Sequence, residues 1–399
     1  MIDMDQNRSL KAELDELLSE DVASVIERER TAFDRLVEPF GKFLVLFGAG
    51  NFGRQVLGNL RREGMEPLAF VDNNPLIWGK SVDGVPLFSP QEAAERFGKS
   101  AAFLVTIRSH ENQHRFVDTK QILQALGCRR VISFMPFLWK YPGTFLPYFY
   151  IDLPHKTHEN ADALKAVFPL WSDEESQHTY LTQLKWRTLA DYDRLPAHAT
   201  EQQYFPESIF SLRDNEVFID CGAYDGDTIR EFLDKAGGCF DRIVAFEPDQ
   251  QNFQNLSDSI QNLPAGVRER IILLKKAVGR EEGKIRFDDV GSPSSRRSEE
   301  GAAEVELVSL DHAVRSYKPS YVKLDIEGAE PDALLGARSV IKQHSPLLAV
   351  CVYHQQDHLW RIPSLIRSLS SRYRFFLRAH NEEGWELVCY AVPVNRLIA

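Results

Sequence analysis

The sequence predicts an α/β fold made of two doubly wound units, the second on seven strands with an antiparallel last hairpin. Three observations predict it. Short apolar runs alternate with amphipathic stretches from residue 41 to 135 and again from 213 to the end. Each series opens on an apolar run that leads into a glycine-spaced turn and then a helix start, at Phe43–Gly53 and at Val217–Thr228. In each, the next apolar run ends in an acid, Asp72 and Glu247. Strands alternating with helices imply a parallel sheet with helices on both faces.

The chain has 399 residues, so a prior of about 100–200 residues per domain allows two or three. Its net charge of -11 argues against a nucleic-acid partner. Five scattered cysteines, with no ligand-like spacing, read as free thiols in a reducing compartment. The acidic N-terminus lacks the features of a signal peptide, and no apolar run reaches the length of a membrane span. A soluble, cytoplasmic protein is the expectation. A homo-oligomer is compatible with it.

Residues 1–40 read as helices, since Leu10, Leu14, Leu17 and Leu18 share one helical face. Residues 41–135 form the smaller unit. Strands are expected at Phe43–Phe47, Pro67–Val71, Ala101–Ile107 and Arg130–Phe134. Helices follow at about Asn51–Glu63, from the capping box at Ser89, and at about Asn112–Leu126. Residues 136–212 form a helical connector or lid, with a capping box at Ser172–Glu175 opening a helix to about Ala190. Residues 213–399 hold the larger unit. Its strands are Val217–Cys221, Arg242–Phe246, Ile271–Ala277, Tyr321–Leu324, Leu347–Tyr353, Tyr373–Arg378 and Trp385–Val392. Helices are expected at Asp227–Ala236, Asp249–Leu263, Pro331–Gln343 and about Leu359–Ser371. Lys284–Phe287 and Glu304–Val308 read as an inserted strand pair around a mobile loop, Gly291–Gly301. This strand layout is that of a class I methyltransferase.

In an open parallel sheet, ligands sit at the carboxyl ends of the strands. Gly222 and Gly226 let backbone approach a ligand closely. Asp227 and Thr228 open a helix whose free N–H groups face the same place. Glu247, 27 residues after Asp220, is placed to accept hydrogen bonds from two ribose hydroxyls. Asp220 would repel a pyrophosphate but tolerate a cation. S-adenosyl-L-methionine combines an adenosine with an ammonium and a sulfonium. The plain alternative is a strand–turn–helix with glycines for sterics.

Asp220-x-Gly222-Ala223-Tyr224-x-Gly226-Asp227 resembles the first motif of the FkbM family of S-adenosylmethionine-dependent methyltransferases. Phe246-Glu247-Pro248, Ala277-Val278-Gly279 and Val322-Lys323-Leu324-Asp325-Ile326-Glu327-Gly328-Ala329-Glu330 extend the resemblance, as do Tyr353-His354 and Asp357-x-x-Trp360. It spans about 200–395. It implies methyl transfer to oxygen, on a sugar or a polyketide hydroxyl. Asp325, at a strand end, could accept the hydroxyl proton. It could instead bind a divalent metal with Glu327 and His354. Glu327 also reads as a charge at a helix start, and His354 either as a base or cation ligand or as a hydrogen-bonded rim residue. Lys323, mid-strand, needs an internal partner or a catalytic role.

In the smaller unit, Gly48-x-Gly50-Asn51-x-Gly53 follows a strand and opens a helix, and Asp72 ends the next strand, which fits the dinucleotide fingerprint of a Rossmann-like unit. FGAGNFGRQV, AFVDNNP and DGVPLFSP are similar to the small nucleotide-sugar-binding domains of sugar acyltransferases. That similarity implies a nucleoside-diphosphate sugar near Asn51–Gly53. The other readings are a degenerate scaffold, a nicotinamide-dependent oxidoreductase using this turn, and a non-catalytic nucleotide-sugar sensor.

Overall fold

The computed structural model describes residues 4–108, 114–196, 198–287 and 303–398. The expected loop Gly291–Gly301 and the expected helix start at Asn112 lie outside them. Two N-terminal helices, Met4–Leu17 and Val22–Val37, precede the first sheet.

That sheet contains β1 (Leu44–Phe47), β2 (Ala69–Val71), β3 (Ser81–Val82), β4 (Val85–Phe88), β5 (Ala102–Val105) and β6 (Arg130–Ser133), in the order β3-β4-β2-β1-β5-β6. All neighbours run parallel except the β3/β4 pair. Strands β3 and β4 are additions to the expected set; two and four residues long, they carry too short an alternation to stand out.

The second sheet contains β7 (Val217–Cys221), β8 (Arg242–Phe246), β9 (Ile271–Leu274), β13 (Tyr321–Leu324), β14 (Leu347–Cys351), β15 (Tyr373–Ala379) and β16 (Leu387–Pro393). A smaller sheet, β10 (Ala277–Val278), β11 (Gly283–Phe287) and β12 (Ala303–Val308), stands beside it. The seven strands run β15-β16-β14-β13-β7-β8-β9, with β16 antiparallel to both of its neighbours. The expected seven-stranded layout is present.

Four differences have local physical causes. The expected strand Ile271–Ala277 is split, because a tight turn in which Lys276 N–H donates to Leu274 O redirects the chain into the small sheet. The expected helix Pro331–Gln343 is two helices, Glu330–Leu335 and Arg338–His344. They break at Gly336, where a Cβ would lie 2.1 Å from Gly279 O. The connector helix, Glu174–Leu189, is capped by Asp173, which accepts the Ser176 N–H, and not by Ser172. The Ser172 and Ser176 hydroxyls instead accept N–H groups of β15, satisfying that edge strand. Finally, β16 starts at Leu387 rather than Trp385. Glu383 and Glu386 hold φ of 52°, which takes Trp385 and Glu386 out of the ladder.

One hydrophobic cluster runs through both sheets and the connector. Phe116 N–H donates to Glu383 Oε1 and Tyr150 OH to Glu383 O, tying the first unit and the connector to the last hairpin. No helix among the described residues is long and apolar enough to cross a membrane.

Candidate active site

A cleft of about 940 Å³ opens at the carboxyl ends of β7, β8 and β13. Its walls hold Gly222, Tyr224, Asp227 and Thr228 from the turn after β7, and Glu247 from the end of β8. Ala277, Val278, Asp325 and Glu327 complete the set expected from the sequence. Asp220, Ala223, Gly226 and His354 stand behind this surface. From residues 136–212, Phe149, Gln203 and Tyr204 also line the cleft.

The turn after β7 depends on glycine. Gly222 has φ of +84°, and a Cβ there would lie 1.9 Å from Asp325 O. Strands β7 and β13 therefore meet the cleft with their ends in contact. Tyr224 holds φ of 47°, a strained position for a residue with a side chain. Its N–H donates to Glu247 Oε2 at 2.9 Å, and Asp249 N–H donates to Oε1 at 2.9 Å. Glu247 is thus fixed by one N–H on each oxygen. Burial raises its carboxyl to about 7, against those two hydrogen bonds. A ligand that donates to both oxygens favours the ionised form.

Asp220 does not wait for a ligand cation. It is fully buried, and the parallel register sets it beside Lys323, whose Nζ lies 3.1 Å from its Oδ1. Burial raises Asp220 to about 6, opposed by the Lys323 charge. Burial alone would lower Lys323, but Asp220 and Asp325 hold its ammonium well above the ordinary range. Lys323 also donates to Gly222 O at 2.6 Å and lies 4.0 Å from Asp325 Oδ2. Of its two expected roles, Lys323 takes the internal pair, and through it braces the turn. Asp220 acts on the cleft at one remove.

Asp325 accepts the Tyr204 hydroxyl on Oδ2 at 2.9 Å and the Tyr353 hydroxyl on Oδ1 at 3.4 Å. His354 Nε2 lies 3.4 Å from Asp325 Oδ1 and 3.8 Å from Glu327 Oε1, while Nδ1 lies 2.7 Å from Glu330 Oε1. Burial alone would lower His354, but the Glu330, Glu327 and Asp325 carboxylates raise it to about 10. It is an imidazolium clamped between acids. The expected divalent-metal set Asp325, Glu327 and His354 finds no support in this geometry, with Nδ1 of His354 taken by Glu330. Among the described residues no group of three or more His, Cys, Asp or Glu is arranged to hold a metal ion. The acid at the helix start is Glu330, which accepts Ile326 N–H at 2.9 Å, and not Glu327. Burial alone would raise Glu330, but the His354 charge takes it down to about 2. Burial lowers His358, 3.3 Å from Glu330, to about 4, and it stays neutral.

Sequence reasoning missed Glu386, Trp385 and Phe149. Glu386 faces Asp325 across Tyr353, whose hydroxyl lies 3.3 Å from Glu386 Oε2. Burial, with the Asp325 charge, raises Glu386 to about 7. Trp385 and Phe149 pack edge to face at 4.9 Å and form an aromatic wall beside these acids. The turn signal Asn381–Gly384 was the only hint that the chain there leaves the strand.

Residues 220–382 match the family model of the methyltransferase FkbM domain. The second unit carries an FkbM methyltransferase domain. A solved methyltransferase FkbM structure from Methylobacillus flagellatus KT is similar to 97% of this chain over 99% of its own, with a TM-score of 0.76 and 23% identity. That identity speaks for the fold alone, which here includes the first unit and the connector. A putative rRNA methylase from Clostridium thermocellum covers 48% of this chain and 90% of its own, at 10% identity and a TM-score of 0.30. An rRNA methylase from Streptococcus thermophilus covers 47% and 89%, at 17% and 0.29. Likenesses at these scores carry no argument. No curated protein matches the chain.

The turn of the first unit copies the bracing of the FkbM methyltransferase domain. Asp72 Oδ2 accepts Ala49 N–H at 3.0 Å and Oδ1 accepts Asn74 N–H at 2.9 Å, as Glu247 accepts from Tyr224 and Asp249. Gly48 has φ of +115°, and a Cβ on Gly53 would lie 1.9 Å from Gly48 O. Gly50 precedes the helix Asn51–Arg62 with no side-chain cap. Arg108 is stacked between the rings of Phe52 and Tyr148, 4.0 and 3.8 Å from their centroids. A cavity of about 390 Å³ on this unit is lined by Gln55, Gly58, Arg62, Thr144 and Phe145, without the glycines of the turn.

Proposed function

We propose that the chain transfers a methyl group from S-adenosyl-L-methionine to a hydroxyl oxygen of a sugar, nucleotide sugar, glycan or polyketide. The observation that carries this reading is the Glu247 carboxylate, fixed on the cleft wall beside a turn that only Gly222 fits. Glu247 would hold the ribose diol, and the turn from Gly222 to Thr228, with Ala277 and Val278, would enclose the rest of the nucleoside. When bound, the cofactor supplies an electrophilic methyl group. The protein must take the proton of the acceptor hydroxyl. Asp325 is the group for that, since it lines the cleft and is held in place by Tyr204 and Tyr353. His354 stands behind it, with Nε2 3.4 Å from Asp325 Oδ1 and 3.8 Å from Glu327 Oε1. Trp385 and Phe149 would take the apolar face of the acceptor.

The first unit would hold a nucleoside diphosphate, as in a nucleotide-sugar acceptor, at Gly48, Gly50, Asn51, Gly53 and Asp72. The matched bracing of Asp72 and Glu247 supports a nucleotide there.

The test is labelled-methyl transfer to a panel of sugars, nucleotide sugars and polyketide alcohols, with S-adenosylhomocysteine as competitor. Label in a hydroxyl position of one class supports the reading. No transfer to any class, together with a reduced-nicotinamide fluorescence response that is lost in Gly53→Ala, would replace it with an oxidoreductase at the first unit.

A further inference from the structure

We propose that a second cavity, at the opposite end of the seven-stranded sheet, binds the phosphate groups of a small phosphorylated molecule. The cavity is about 630 Å³, within the range that small ligands fill. It lies where the chain enters β7, β13 and β14 and leaves β16, as Val217, Ser320, Ser345 and Pro393 mark on its lining. The FkbM methyltransferase cleft is at the other ends of the same strands.

Its charge is the unexpected feature. The chain carries 58 acids against 47 Lys and Arg, so an average cavity would lean acidic. This one is lined by Arg213, Lys318, His344, Arg372 and Arg396 against a single acid, Asp241. Arg396 is already committed: it is buried, pairs with Glu216, and donates to Ser320 O at 3.1 Å and Ser211 O at 3.0 Å. The other four come from four separate chain segments, so no run of basic sequence accounts for them. Among the described residues none of the four has a carboxylate partner within ion-pair distance. Arg372 is held over the cavity by a hydrogen bond from its Nη1 to Ser345 Oγ at 3.2 Å. The carbonyl end of the helix Arg338–His344 draws His344, and Asp241 is the one carboxylate that shares the lining with Arg213, Lys318 and Arg372.

Like charges that converge in a concave site repel each other, and the cavity focuses their field. An anion removes that cost. Two guanidinium forks and an ammonium match the tetrahedral oxygens of phosphate, the forks pairing two oxygens at a time. Pro319 and Val394, the latter 59% exposed, add an apolar margin for an organic group.

The experiment is calorimetry of the full chain with inorganic pyrophosphate and, separately, with ADP, at constant ionic strength, with S-adenosylhomocysteine saturating and with every protein compared carrying Gly53→Ala, which blocks the nucleotide turn proposed for the first unit. The expected result is saturable binding that weakens at least tenfold in Lys318→Ala/Arg372→Ala. It is unchanged in Lys276→Ala/Lys284→Ala, which removes cations of the cleft. ADP binding more tightly than pyrophosphate would point to an organic phosphate, and equal affinities to the phosphates alone; both support the site. Binding that is equal in wild type and the cavity variant, or lost only in the cleft variant, overturns the proposal. Lys318 and Arg372 are exposed, so the variant should keep its fold. If its melting curve differs from wild type, Arg213→Gln gives the same test.

Discussion

The Glu247 carboxylate offers the sharpest perturbation, because its geometry and its protonation predict separate effects. Glu247→Gln keeps the shape but replaces one oxygen with an NH₂. Both oxygens already accept a backbone N–H, from Tyr224 and Asp249, so one of those donors would face another donor. The variant also loses the charge that two ribose hydroxyls would use. A hydrogen bond to a charged group contributes about 1.5–3 kcal/mol, so two of them amount to roughly 3 kcal/mol at the low end. At about 1.4 kcal/mol per tenfold, S-adenosylhomocysteine should bind on the order of 100-fold more weakly at pH 8. The pH arm follows from burial, which raises Glu247 to about 7 in the free chain. A diol that donates to the carboxylate selects the ionised form. Binding should therefore be full above pH 7 and decline as pH falls, by roughly 100-fold at two units below the pKa, which is the protonated excess there. Glu247→Gln has no such proton and should lose most of that slope, keeping only what Asp220 and Glu386 contribute. Titration calorimetry across pH 5–8, with melting curves to confirm folding, reads both effects. A folded variant within threefold of wild type, or one that keeps the wild-type pH slope, would refute the reasoning.

Three further predictions follow from the same cleft. Lys323→Met leaves Asp220 buried without its partner and should cost about 3–5 kcal/mol in urea unfolding at pH 8. The loss should shrink towards pH 5, since a raised folded-state pKa gives stability that is present at low pH and lost as pH rises; Asp220→Asn in addition should recover most of it. Gly222→Ala places a Cβ 1.9 Å from Asp325 O and forces the β7 and β13 ends apart, so S-adenosylhomocysteine binding should be lost before the fold is; unchanged affinity by calorimetry would contradict this. Asp325→Asn should lower methyl transfer by roughly 100-fold or more while cofactor affinity changes little, and equal turnover would remove Asp325 as proton acceptor.

The parts of this molecule that were legible in the sequence are those with local causes. Val217–Cys221, Asp227–Ala236 and Arg242–Phe246 form as expected, because apolar runs and a glycine turn decide them residue by residue. Glu247 and Asp325 follow, since strand ends place them. What was hidden depends on contacts between distant segments. The Asp220–Lys323 pair is a product of strand register across 103 residues. Gly336 breaks a well-patterned helix only because Gly279 comes so close. Glu386 and Phe149 enter the cleft through left-handed backbone, φ of 52° and 48°, that no glycine announces. The helix Glu174–Leu189 is buried on nearly every side, a depth that its own residue pattern does not announce.

The central claim is that the cleft at the carboxyl ends of β7, β8 and β13 holds S-adenosyl-L-methionine. A crystal structure with S-adenosylhomocysteine tests it most directly. The account predicts the ribose hydroxyls within hydrogen-bond distance of both Glu247 oxygens, with the backbone of Gly222 against the ligand. Ligand density at Gly48–Gly53 instead, or a ribose turned away from Glu247, would contradict it.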